Sequence, residues 1–232
     1  MRTFAVTDRW KNRWPGAVAA CLAVNNVANP SEAPALNERL AEIERDLRER
    51  YAGLDRAALR VMPPFDAYDR YYKSFGQNYH VLHQVESVAL KHKPIPRRAA
   101  LVEAAFAEEL RSGLLTAMHD ADAIGLEILT DAATGSEEVM LYNGKTAVLD
   151  EGDMFMRDHQ GILTSVIRGP AAYGLVTPET TSVVVCVYAP AGVGPASVSR
   201  HLDAIASNVT SIASSAEIAF LEVIEAPPQR FN

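Results

Sequence analysis

The chain has 232 residues, 48% of them hydrophobic and 22% charged, which excludes a disordered or collagen-like protein. A chain of this length buries a core without disulfide staples. Its formal net charge of −7 opposes sequence-independent binding to a phosphate backbone, since such binding gains its affinity from counterions released by basic side chains, so any contact with nucleic acid must be local.

The two cysteines and the N-terminal residues indicate where the chain resides. Cys21 and Cys186 each lie in an apolar run, which favours buried reduced thiols over a disulfide or a metal site. The first residues are followed at once by charged ones and lack the apolar segment of a signal peptide. No apolar run approaches the roughly 20 residues needed to cross a bilayer. We therefore expect a cytoplasmic protein without membrane contact.

A buried strand and an amphipathic helix are the first predicted elements. Residues 17–27 are small, apolar and β-branched and end in an asparagine-rich turn, which predicts a strand. A helix follows because apolar residues recur at spacings of three and four with charged residues between them. These apolar residues are Leu36, Leu40, Ile43, Leu47 and Tyr51.

Residues 62–79 contain a dense cluster of aromatic side chains, six of the 17 in the chain. They form either a stacking surface or part of the core, and the helical spacing of Tyr68, Tyr71 and Tyr72 favours the core. Two further helical stretches, 79–90 and 98–111, flank a basic segment whose two prolines prevent coiling. A solvated loop is its simplest interpretation, and a local RNA contact is the alternative. Its cationic residues are Lys91, Lys93, Arg97 and Arg98.

Beyond Gly113 the pattern changes to short strands separated by turns. Asn143-Gly144 between two apolar runs predicts a hairpin, and residues 154–156 and 162–167 predict a second. The β-branched run 182–189 predicts a central strand, followed by a last helix over 198–212 and a last strand over 218–224. No change in composition marks a linker, so we expect one α+β domain spanning residues 1–232.

Two groups of residues have the chemistry of a functional site. His80, His83 and Glu86 recur every three residues on a predicted helix and are capable of binding a divalent metal, but hydrogen bonding within a core or cleft is the more common role. His119 and Asp120 combine a general base with an orienting carboxylate, while a turn in which the aspartates bond local amides is the alternative. From these patterns we expect neither a metal nor a cofactor.

Three segments in order resemble the B3/4 domain of the phenylalanyl-tRNA synthetase β subunit, and more closely its freestanding relatives. The first is Lys-Pro-Ile-Pro-Arg at 93–97 with Leu-Leu-Thr-Ala-Met-His-Asp-Ala-Asp at 114–122. The second is the Asn-Gly turn with Glu-Gly-Asp at 151–153 and Asp-His-Gln-Gly at 158–161. The third is Arg-Gly-Pro at 168–170 with Val-Thr-Pro-Glu-Thr at 176–180. Together they cover roughly residues 80 to 190.

The resemblance implies a three-layer α+β fold of the PheT/TilS-like type, with a β-sandwich of unusual topology and packed helices. In the synthetase this domain hydrolyses tyrosine wrongly attached to the phenylalanine tRNA. Two departures bear on that activity. Thr116 stands at the position of the family's histidine, and Cys186 stands where the family has a glutamate that recognises the misacylated amino acid. A substrate of this chain therefore need not be tyrosyl-tRNA.

The leading hypothesis is an RNA-associated domain acting on tRNA, and specifically a trans-acting aminoacyl-tRNA deacylase. The alternative is a non-catalytic module that binds a small amino-acid-like or acidic ligand. We expect His119 and Asp120 as catalytic residues, and Lys91, Lys93, Arg97 and Arg98 as RNA contacts. The expected substrate-binding residues are His83, Glu86, Thr116, Arg168 and Gly169. The cleft is predicted where the segments bearing His119, Arg168 and His83 converge.

Overall fold

The computed structural model describes residues 2–97 and 99–228, and the elements within them are as follows. The helices are α1 Asp8–Arg13, α2 Pro34–Arg50, α3 Arg56–Arg60, α4 Phe65–Ser74, α5 His80–Val85, α6 Ala100–Ser112 and α7 Pro195–Ile212, with a π-helical turn at Glu86–Leu90. The strands are β1 Thr3–Val6, β2 Val18–Asn25, β3 Thr116–Asp120, β4 Glu127–Ala132, β5 Glu138–Met140, β6 Thr146–Val148, β7 Met154–Arg157, β8 Ile162–Ser165, β9 Gly169–Pro170, β10 Ser182–Ala189 and β11 Glu217–Glu225.

The strands in the described part of the chain form three sheets. The larger two have the orders β1-β4-β7-β8-β9 and β11-β2-β10-β3, and β5 pairs with β6 as a hairpin. Strand β1 runs parallel to β4, whereas the other strand pairs are antiparallel. Separate helices combined with mainly antiparallel sheets make the fold α+β, as predicted. No helix among residues 2–97 and 99–228 is long and apolar enough to cross a membrane.

One hydrophobic core contains buried side chains from both larger sheets and from the long helices. Strand β10 lies between β2 and β3, and its pairing with β2 sets Cys186 directly opposite Cys21. Both thiols are free and fully buried, which confirms the prediction made from their apolar surroundings. The hydrogen bond with Cys21, together with burial, raises the pKa of Cys186 well above that of an ordinary thiol.

The aromatic segment belongs to the core rather than to a stacking surface. Tyr68 is fully buried and stacks on Tyr79 with ring centroids 4.4 Å apart. The Tyr68 hydroxyl donates to the carbonyl of Tyr188 at 2.6 Å and accepts from the amide of Leu115 at 3.1 Å. Buried tyrosines normally find such partners, and here they join α4 to β10 and to the segment before β3.

Gly113 connects α6 to β3 in a conformation that disfavours other residues. It caps α6 with a left-handed φ of 71°, and its amide donates to the carbonyl of Glu109 at 2.8 Å. A Cβ at this position would lie 2.7 Å from the ring of Phe65. The glycine therefore permits both the turn and the close approach of α4, and it fixes where β3 begins relative to the end of α6.

Candidate functional site

A cavity of about 320 Å³, here called the α6 cavity, lies between α6 and the ends of β3, β8 and β9. Val102, Ala105 and Phe106 of α6 provide much of its apolar wall. Thr116, Gly169 and the side chains described below supply polar groups. The combination of an apolar wall with a few convergent polar groups is typical of a small-molecule pocket.

Glu109 is the buried acid of the α6 cavity, with 6% of its surface exposed. Its carboxylate accepts a hydrogen bond of 2.8 Å from the amide of Thr116. Burial raises the pKa of Glu109 to about 8, and the amide of Thr116 opposes the rise. The carboxyl is thus mostly protonated at pH 7 and is able to donate a hydrogen bond.

Tyr188 contributes a second polar group at the end of β10. It is buried and lines the α6 cavity, and its hydroxyl has no hydrogen-bond partner of normal geometry among the described residues, although Thr164 lies beside it. Burial raises the pKa of Tyr188 well above its usual value, so the hydroxyl stays protonated. A buried hydroxyl without a partner is uncommon because leaving it unpaired costs free energy. The hydroxyl therefore has Thr164 as its neighbour in the wall of the α6 cavity.

Thr116 joins the α6 cavity to a buried histidine on α7. Its hydroxyl lies 2.7 Å from Nε2 of His201 and 3.1 Å from the carbonyl oxygen of Leu114. The Nδ1 atom of His201 lies 3.0 Å from the hydroxyl of Ser112. Burial, reinforced by the charge of Arg111, lowers the pKa of His201 to about 3, so the imidazole is neutral at physiological pH. Ser112, His201 and Thr116 therefore form a chain of uncharged polar contacts that leads from α7 to the α6 cavity.

The structure places the two predicted catalytic residues outside this cavity. His119 lies within β3 rather than on a loop, is fully buried, and has no hydrogen-bond partner of normal geometry at either ring nitrogen. Burial lowers its pKa to about 4. Asp120 accepts from the hydroxyl of Thr180 at 2.5 Å and from the amide of Asp122 at 2.9 Å. Asp120 therefore follows the local-turn alternative, and the predicted position of His119 in the cleft is wrong.

The predicted convergence of three segments is also only partly present. Gly169 lines the α6 cavity, but the side chain of Arg168 turns away and pairs with Asp150 at 3.0 Å. His83 contacts Arg56 at 2.6 Å, and Glu86 lies near both of them. These last residues line no part of the cavity, since ion pairing between α3 and the end of α5 holds them elsewhere.

The basic segment between α5 and α6 is partly neutralised. Lys91 donates to Glu86 at 2.8 Å, and this contact lowers the pKa of Glu86. Arg97 lies 3.6 Å from Glu44, whereas Lys93 forms no ion pair with a described residue. Arg98, the fourth predicted RNA contact, lies outside the described residues. The segment thus offers less unpaired positive charge than its sequence indicates.

Sequence patterns missed Glu109, Tyr188 and His201. Glu109 follows Val102, Ala105 and Phe106 at helical spacing, and a carboxylate on an otherwise apolar stripe is the signal that reveals it. Tyr188 stands near the end of an apolar strand, where nothing in the sequence indicates an unpaired hydroxyl. Among residues 2–97 and 99–228 no cluster of three potential metal ligands is present.

Comparisons with known proteins give a distant structural resemblance. No protein-family model and no curated protein sequence matches the chain. Among solved structures it is similar to an N-terminal fragment of the phenylalanyl-tRNA synthetase β subunit from Pyrococcus horikoshii, with 14% identity and a TM-score of 0.48. The similarity covers 97% of this chain and 54% of the other, so the chain spans about half the length of that fragment.

Proposed function

We propose that this chain is a B3/4-type domain whose α6 cavity binds an amino-acid-like group, either free or esterified to RNA. The observation that carries the proposal is a pair of buried polar groups in an apolar cavity. They are the neutral carboxyl of Glu109 and the hydroxyl of Tyr188, which has no hydrogen-bond partner of normal geometry among the described residues. Such a cavity holds an apolar side chain, while the polar groups orient its amine, carbonyl or hydroxyl.

Two segments that resemble the B3/4 family support an RNA-linked ligand. Thr116 comes from the first segment and Gly169 from the third, and both line the α6 cavity although they are far apart in the sequence. We extend the proposal to the family's three-layer β-sandwich topology and to a single domain over residues 1–232. On this proposal tRNA delivers the amino acid as its 3′ ester.

Hydrolysis of that ester is the second candidate function, and the contact between Thr116 and neutral His201 favours it. Water attacks the acyl carbon, the ester C–O bond breaks, and the tRNA 3′ hydroxyl leaves with a proton. The Thr116 hydroxyl would position the water, with His201 orienting that hydroxyl. Since His119 is fully buried away from the cavity, this role passes from His119 to Thr116.

A thermal-shift screen of amino acids tests binding, and a deacylation screen against mischarged tRNAs tests hydrolysis. The wild type should be stabilised by at least one amino acid, and Val in place of Thr116 should abolish hydrolysis while retaining binding. Thr210→Val is the matched control, since Thr210 is exposed on α7 and bonds only its own helix. Stabilisation without hydrolysis leaves a binding module. The proposal is refuted if no amino acid stabilises the wild type and no mischarged tRNA is hydrolysed.

A further inference from the structure

A second cavity, of about 520 Å³, lies on the other side of the α6–β3 connection and is here called the arginine cleft. Three guanidinium side chains line it, from Arg50 at the end of α2, Arg111 near the end of α6, and Arg200 in α7. Ser197 and His201 of α7 also belong to its wall. Neither the predicted RNA-binding segment nor the proposed amino-acid site includes any of the three arginines.

Two of these arginines have no acidic partner among residues 2–97 and 99–228. Arg111 donates to Glu108 at 2.6 Å, whereas Arg50 and Arg200 form no ion pair with any residue in the described ranges. Arg50 donates instead to the backbone carbonyl of Arg111 at 2.9 Å, and Arg200 donates to the hydroxyl of Ser197 at 3.1 Å. The cleft therefore has a positive excess in a chain whose net charge is −7.

The contacts of Arg50 and Arg200 hold their guanidinium groups at the cleft while leaving further N–H donors free. Each guanidinium has five such donors, and the observed contact of each arginine uses one nitrogen. The start of α7 adds to the positive potential, since Pro195 begins an 18-residue helix and Gly194 caps it without a side-chain hydrogen bond. Planar arginine forks match the oxygens of phosphate in pairs.

We infer that the arginine cleft binds a phosphate group, either a phosphodiester of RNA or the phosphate of a small molecule. Arginine stays charged throughout the physiological range, so binding should persist from acidic to mildly basic pH. The cleft goes beyond the proposed amino-acid site, because its ligand chemistry and its lining arginines are separate. Loss of amino-acid binding would leave this inference intact, and the reverse also holds.

The test is titration of the full chain with inorganic phosphate at constant ionic strength, followed by NMR or calorimetry. Glutamine in place of Arg50 and Arg200 together should weaken phosphate binding by about a hundredfold, at roughly tenfold per charged hydrogen-bonding partner. The control is Arg45→Gln, since Arg45 is exposed on α2 and lines neither cavity. Thermal unfolding of each variant checks that the fold is retained.

Two further titrations distinguish the source of the phosphate. The first uses a short single-stranded RNA. The cleft is assigned to RNA if this RNA binds wild type and the Arg45 variant alike but binds the double variant at least tenfold more weakly. The second uses glycerol phosphate. If glycerol phosphate binds and the RNA does not, the cleft is assigned to a small phosphorylated molecule. Absence of phosphate binding by the wild type would overturn the inference, as would equal losses in the Arg45 variant and the double variant.

Discussion

At the scale of single residues, the α6 cavity contains two buried groups whose environment sets their chemistry. Glu109 is protonated near neutral pH because it is removed from water and its observed hydrogen bond comes from a single amide. Tyr188 lines the same cavity, and its hydroxyl has no hydrogen-bond partner of normal geometry in the described part of the chain. Both groups therefore cost folding free energy in the empty protein, and each cost is measurable by a conservative substitution.

Replacing Glu109 by Gln should reduce the loss of stability at high pH. The folded-state pKa is raised from 4.5 to about 8, so the stability linked to the bound proton is fully present below pH 4.5 and is lost as pH rises through 8. Between pH 5 and 9 the wild type should lose on the order of 4 kcal/mol more than the variant. Denaturant unfolding at several pH values measures this. If the free energies of unfolding of wild type and Glu109→Gln change with pH in parallel, the prediction is wrong. Glu38→Gln is the control, since Glu38 is exposed.

Phenylalanine in place of Tyr188 should leave stability unchanged or raise it by about 1 kcal/mol, because the buried hydroxyl that is removed has no partner of normal geometry among the described residues. The same substitution at Tyr68 should cost about 1–3 kcal/mol, because the Tyr68 hydroxyl donates to the backbone carbonyl of Tyr188 and accepts from the backbone amide of Leu115. Chemical denaturation of the two variants gives the comparison. Equal losses would mean that the Tyr188 hydroxyl already has a partner inside the protein.

At the scale of elements, periodicity in the sequence predicted most of the longer helices and strands. The apolar spacing of α2, the turn between β5 and β6, and the β-branched run of β10 each depend on neighbouring residues, and the structure confirms all three. Strands β1 and β4 were not predicted, since their parallel pairing joins distant parts of the chain. Such pairing leaves little trace in a four-residue strand.

The cavity was harder to predict because it depends on how elements meet. Thr116 and Gly169 were identified as ligand contacts from their motifs, and both line the cavity. His119 was misplaced because the strand extends to Asp120, which carries its imidazole into the interior. Ion pairing likewise turned Arg168 away, and a sequence does not show which acid an arginine will contact.

The connection between α6 and β3 should be intolerant of a side chain at Gly113. Alanine there incurs the cost of a left-handed φ, about 1–2 kcal/mol, and in addition a contact with Phe65. Gly53→Ala is the matched control, since its φ is 75° and nothing lies within 4 Å. We expect Gly113→Ala to destabilise the protein by about 1–3 kcal/mol more than Gly53→Ala, measured by chemical denaturation. If the two variants lose equal stability, the ring of Phe65 moves to accommodate the added methyl group.

At the scale of the whole molecule, the acidic charge leaves two basic regions with different pairing. Lys91 and Arg97 have acidic partners, whereas Arg50 and Arg200 have none among the described residues. If tRNA binds, the logarithm of its affinity should fall in proportion to the logarithm of the salt concentration, and each phosphate contact adds to this slope. Alanine at Lys93 and Arg97 should reduce the slope by less than two phosphate contacts. Glutamine at Arg50 and Arg200 should reduce it by about two. Affinities measured at several salt concentrations give both slopes. The opposite ranking would restore the basic segment as the main contact.

The paired thiols at the centre of the sheet provide a built-in reporter of global opening. Only the thiolate reacts with alkylating reagents, and both Cys21 and Cys186 are sealed from solvent in the core. The chain has two cysteines in all, so any labelling signal comes from this one place. When opening and closing are fast relative to labelling, the labelling rate should therefore track the free energy of opening this core. Ligands of either cavity can then be ranked, without an attached dye, by how far they slow that rate.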